Sequence, residues 1–148
     1  MDEVLLGKAA IIERCLRRIN EEYRGHETEF ATNFTKQDAI LLNLQRACEA
    51  SIDAAMHLVR RHRLGIPTES RQAFTLLMQA SLLDRELCKH LEGMVGFRNI
   101  AVHNYRELDI QIVRHILSDR LADLETFAGQ LLNQGLHPRS DETSTPQQ

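Results

Sequence analysis

A chain of 148 residues holds one domain with a single core, and 43% apolar content beside 26% charged residues is the balance of a folded protein rather than a disordered one. Seven Gly, three Pro, no Trp and two Tyr leave few turns and few strand-favouring aromatics, so the expectation is an all-α fold. A net charge of −3 argues against a protein that coats nucleic acid, because counterion release needs clustered cations, and confines any such contact to a local site.

Leu5, Ala9, Ile12, Leu16, Ile19 and Tyr23 recur every three or four positions and predict a first helix over 4–23. Gly25 and the polar stretch through Lys36 interrupt the pattern. Ile40, Leu44, Ala47, Cys48, Ile52, Ala55, Leu58 and Val59 restore it as a second helix over about 37–62. Leu64-Gly65-Ile66-Pro67 breaks the chain again, and Ser70 is expected to cap a short third helix through Gln79. Asp84 offers the next cap, for a fourth helix carried by Leu87, Cys88, Leu91, Met94, Val95, Ile100 and Ala101 that should loosen near 102–105. Asp109 caps a fifth, carried by Ile112, Val113, Ile116, Leu117, Leu121, Leu124, Phe127 and Leu131. Gly135, two prolines and many polar residues make 134–148 an expected disordered tail, leaving a helical domain over 1–133. The expected architecture is a helical bundle of about five helices.

No apolar run approaches the ~20 residues that cross a bilayer, and the start lacks a signal peptide's apolar core and cleavage site, so the expected location is cytoplasmic, with no membrane partner. Cys15, Cys48 and Cys88 lie far apart within apolar helical patterns and read as buried free thiols. Two cation clusters, Arg14/Arg17/Arg18 and Arg60-Arg61-His62-Arg63, read first as a solvated face and a favourable helix end.

The candidate site is Arg98-Asn99-Ile100-Ala101-Val102-His103-Asn104-Tyr105. Arginine offers a rigid fork of donors matched to phosphate oxygens, histidine holds or releases a proton near neutral pH, and tyrosine carries a modifiable hydroxyl. A five-residue step turns a helix by roughly 140°, so Arg98 and His103 share no face of an intact helix. They converge only if the helix unwinds before His103 or a second subunit brings its own copy. Arg85 and His90 show the same spacing, but Glu86 beside that arginine would compete with a phosphate. Arg98 has only uncharged neighbours, Phe97, Asn99 and Ile100, and is therefore expected to be free for an anion. RNA cleavage needs a base for the 2′-hydroxyl, charge stabilisation on phosphorus and an acid for the leaving oxygen, and no metal or other cofactor is obligatory. His103 fits the first or last role and Arg98 the second. Asn99 can orient either group or simply turn the backbone. His103 can equally serve the helix dipole, and Tyr105 can seal the core as a helix-end aromatic. A di-metal carboxylate bundle is disfavoured because the chain contains no Glu-x-x-His.

Met94 to Tyr105 resembles the Arg-x4-His-x-Tyr signature of HepT-type toxins in the HEPN-domain ribonuclease superfamily. The likeness extends to Leu42-Asn43-Leu44-Gln45-Arg46-Ala47-Cys48-Glu49-Ala50 and to Leu64-Gly65-Ile66-Pro67, in the expected order. The resemblance implies a homodimer that cleaves RNA without a metal, with Arg98 and His103 of both subunits lining one cleft. It also implies a type VII toxin–antitoxin system, in which an MntA-type nucleotidyltransferase antitoxin silences the toxin by transferring AMP to Tyr105. The alternative keeps the fold and drops catalysis: a non-catalytic helical partner that helps a nucleotidyltransferase bind substrate.

Overall fold

The computed structural model describes residues 1–103 and 108–137, which form six helices and, among the described residues, no strand. They are α1 (Glu3–Tyr23), α2 (Phe34–Arg61), α3 (Ser70–Gln79), α4 (Arg85–His103), α5 (Ile110–Asp119) and α6 (Leu121–Leu136). Helix α2 is the hub and packs against α1, α3, α4 and α6, while α1 also lies along α6. Leu5, Ile12 and Ile19 of α1, Ile40 and Leu44 of α2 and Leu124 and Leu131 of α6 fill the shared core, all at or below 1% exposure. No described helix is long and apolar enough to cross a membrane.

Asp2 caps α1 through Oδ1, which accepts from the amides of Val4 and Leu5 at 3.1 and 3.2 Å. Its Oδ2 lies 2.8 Å from His57 Nε2 and accepts from Arg61 Nη1 at 3.3 Å, and Arg61 also donates to the Gln134 carbonyl at 3.1 Å. One carboxylate therefore ties the start of α1 to the end of α2, and Arg61 continues the tie to α6. Arg61 in the second cation cluster thus has a structural task, and Arg18 in the first pairs with Glu21 and Glu22.

Four expectations change. The polar stretch after Gly25 contains a core residue: Phe30 is fully buried, meets Tyr23 edge-on at 5.5 Å and lies under the Arg114 guanidinium. Asn33 then caps α2 at the Lys36 amide, three residues before the expected start. Helix α2 ends close to the expected residue 62: Arg63 takes φ 54°, its amide bonds the Arg60 carbonyl and the Leu64 amide bonds the Val59 carbonyl, a Schellman closure.

The expected fifth helix is two. Asp119 turns its carboxylate to His115 Nδ1 at 2.9 Å, Arg120 takes φ −118° and ψ −10°, and the Asp123 amide bonds the Arg120 carbonyl, starting α6. Finally α6 runs through Leu136, so residues 134–136 are helical rather than tail. Gly135 is suited to this place, because a Cβ there would sit 2.8 Å from Leu6 Cδ2 and 3.2 Å from the Asp2 carbonyl. The rest of the expected tail, 138–148, lies outside the described residues.

Candidate functional site

Asp84 caps α4 as expected, its Oδ1 accepting from the Leu87 amide at 2.7 Å. Leu87, Cys88, Leu91, Met94, Val95, Phe97 and Ala101 then bury one face of the helix. That phase turns Arg98 toward α2 and α3 and leaves Asn99 and His103 on the exposed side. The helix is intact through His103, so residues 102 and 103 do not loosen, and Asn104 and Tyr105 lie outside the described residues. With α4 unbroken, Arg98 and His103 of one chain point roughly 140° apart. The structure does not bring them together within a protomer.

Arg98 is not a free cation. Its Nη1 donates to both carboxylate oxygens of Glu49 on α2, and its Nη2 donates to the Ser70 hydroxyl at 3.2 Å. The expectation failed because it weighed only neighbours along the chain, whereas the counter-charge arrives from 49 residues away. Its only trace in the sequence is a carboxylate at position 49 set between Cys48 and Ala50, both buried. Ser70, expected to cap α3, is instead its first residue. Glu69 stands at the cap position without a side-chain bond, and the Thr68 amide and hydroxyl both donate to Gln72 Oε1.

Helix α3 is clamped onto α4. Thr75 Oγ1 donates to Glu92 Oε1 at 2.6 Å, and Arg71 Nε reaches the Glu92 carbonyl at 3.4 Å. Gly96 admits the Arg71 side chain, since a Cβ there would meet Nη2 at 2.9 Å. The clamp fixes Ser70 beside Arg98.

The rival pair separates differently: His90 Nδ1 sits 3.1 Å from Asp123 Oδ2 on α6, a contact between helices that does not include the exposed Arg85. All three cysteines are free and buried. Burial pushes the Cys48 thiol up to about 12. Burial together with a hydrogen bond to Glu92 does the same for Cys88, so neither is a nucleophile at neutral pH. Among the described residues no group of three or more His, Cys, Asp or Glu side chains is placed to hold a metal ion.

Comparison with known proteins agrees along nearly the whole chain. Residues 12–131 match the family described as ribonuclease HepT-like. The chain is 48% identical over 127 residues to the mRNA nuclease HepT of Shewanella oneidensis, covering 86% of this chain and 95% of that protein. Among solved structures it is similar to a tri-AMPylated HEPN toxin of Shewanella oneidensis in complex with an MNT antitoxin. There the TM-score is 0.84 at 46% identity, over 90% of this chain and 99% of that one. A toxin–antitoxin structure with AMP-PNP gives 0.83 at 45% identity, over 88% of this chain and 99% of that one. The extent of these matches, on an all-helical fold carrying the Arg98–His103 spacing on α4, establishes that the chain belongs to the HepT-like ribonuclease family.

Proposed function

We propose that this chain is the toxin of a type VII toxin–antitoxin system, a metal-independent endoribonuclease of the cytoplasm. Its site is composed at a homodimer interface, and a cognate MntA-type nucleotidyltransferase neutralises it by AMPylating Tyr105. The observation that carries the reading is the likeness to an mRNA nuclease over 95% of that protein's length. Support for two copies comes from the surface around the motif. Ile100, Val102 and Ile112 are 44%, 49% and 51% exposed, and a cleft of about 450 Å³ between α4 and α5 is lined by Met94, Phe97, Ile100 and Ile112. Apolar exposure grouped in this way favours a protein partner, and a two-fold copy would add its own Arg98 and His103.

In the composite site between the two copies, His103 takes the proton from the RNA 2′-hydroxyl. The oxygen attacks the adjacent phosphorus, Arg98 across the interface meets the charge gathering on the phosphorane, and the protonated His103 returns its proton to the departing 5′-oxygen. The products are a 2′,3′-cyclic phosphate and a 5′-hydroxyl, and DNA, lacking the nucleophile, is spared. Asn99, exposed beside Arg98, is the supporting hydrogen-bonding group. Transfer of AMP from ATP to the Tyr105 hydroxyl, with release of pyrophosphate, sets a phosphate and a base two residues beyond His103, where they exclude substrate.

One observation favours the non-catalytic alternative: Glu49 already occupies the Arg98 guanidinium. Expression in cells decides between the two. The wild type should arrest growth, Arg98→Ala and His103→Ala should relieve the arrest, and Tyr105→Phe should stay toxic when the antitoxin is co-expressed. A harmless wild type whose purified dimer leaves RNA intact would overturn the proposal.

A further inference from the structure

Arg98 is fixed by groups from two other helices. Glu49 on α2 engages Nη1 with both oxygens and Ser70 on α3 accepts from Nη2, so one guanidinium bridges three elements. The remaining polar atom, Nε, is buried and has no hydrogen-bond partner. An arginine held only to stabilise the fold would be expected to satisfy that donor as well. Glu49 takes Nη1 and Ser70 takes one N–H of Nη2, and since burial seals Nε, the second N–H of Nη2 is the donor left for a phosphate.

We infer that Glu49 is a positioning residue for RNA cleavage: with Ser70 it sets the Arg98 guanidinium so that an RNA phosphate adds to the remaining N–H of Nη2 rather than displacing a counter-ion. The inference rests on the nuclease reading above. A flexible arginine would have to be ordered each time substrate arrives, whereas a guanidinium already held by a carboxylate and a hydroxyl meets the reacting phosphate in place. The carboxylate also partly neutralises the cation. A ground-state phosphodiester therefore gains little from it, and the more negative phosphorane gains more, so the effect should fall on kcat rather than KM.

Ser70 is itself held, because the Thr75–Glu92 bond and the Arg71 side chain over Gly96 lock α3 on α4. Glu49 is not needed for folding in the same degree: its side chain is 41% exposed, and pairs open to water add little to stability.

The test uses the full chain and a labelled single-stranded RNA oligonucleotide of mixed sequence, comparing wild type, Arg98→Ala, Glu49→Gln, Glu49→Asp and Ser70→Ala. Glu49→Gln should lower kcat about tenfold to a hundredfold, with KM within about threefold and the melting temperature within about 4 °C of wild type. Glu49→Asp should recover part of the loss, and Ser70→Ala should lower kcat less than Glu49→Gln. Equal or faster cleavage by Glu49→Gln would overturn the inference, since Glu49 would then be a bystander or a competitor for the cation. If Glu49→Gln fails to fold, a folded Ser70→Ala with unchanged kcat overturns it and one with lowered kcat upholds it. Failure of the underlying reading looks different: wild type would cleave nothing, or Arg98→Ala would cleave as well as wild type.

Discussion

Asp2 caps α1 and, through its second oxygen, meets His57 and Arg61. Burial pushes its carboxyl up, but the bonds from His57 and the Leu5 amide and the charge of Arg61 outweigh that, leaving the pKa below the usual 3.8. A carboxyl whose folded pKa is lower than its unfolded one contributes stability above the unfolded value, and loses it as pH falls through the folded value. Asparagine caps as well as aspartate does, so Asp2→Asn isolates the charge. The variant should melt below wild type at pH 7, with the gap closing from about pH 4 downward. Thermal melts at pH 7, 4 and 2.5 check this, and a constant gap would contradict it. At this same scale the sequence shows its reach and its limit. Spacing and side-chain chemistry single out Arg98 and His103, and periodicity buries all three cysteines. The place of Glu49 and Ser70 beside Arg98 is not legible, because that meeting is made by helix packing and no local spacing encodes it.

Helices were legible where an apolar stripe met a capping residue. α1, α2, α3 and α4 stand close to their expected spans, and Asp84 and Asp109 cap as anticipated. The break at Arg120 was not legible, because the apolar pattern keeps its phase from Ile116 and Leu117 to Leu121 and Leu124, and neither Gly nor Pro marks the turn. Phe30 was missed for a related reason: two aromatics among polar neighbours, Phe30 and Phe34, are too few to set a period, and only Phe30 is buried. Yet it anchors the segment between α1 and α2, with its carbonyl accepting from Gln37 Nε2 at 2.7 Å and its ring under Arg114 of α5. Phe30→Ala should therefore cost about 3–5 kcal/mol, as for a core aromatic. Urea unfolding measures it, and a loss under about 1 kcal/mol would show that the segment is not part of the core.

For the molecule as a whole, the uninterrupted α4 is the decisive feature. It presents Arg98 toward α2 and α3 and His103 to the outside, so a single protomer lacks a site that uses both. Ile100, Val102 and Ile112 nearby are exposed, the apolar surface that a second copy would cover in the proposed dimer. Composition and periodicity showed the helical bundle, and the angular step between the two residues already required either an unwound helix or a second subunit. The structure removes the first option through residue 103. The most direct test mixes two inactive proteins, Arg98→Ala and His103→Ala, under conditions that exchange subunits, and measures RNA cleavage. The mixed dimer keeps one intact Arg98 and one intact His103 on opposite protomers, and the mixture should cleave well above either variant alone. A mixture no more active than its components, while subunit exchange is shown to occur, would contradict a site shared between protomers.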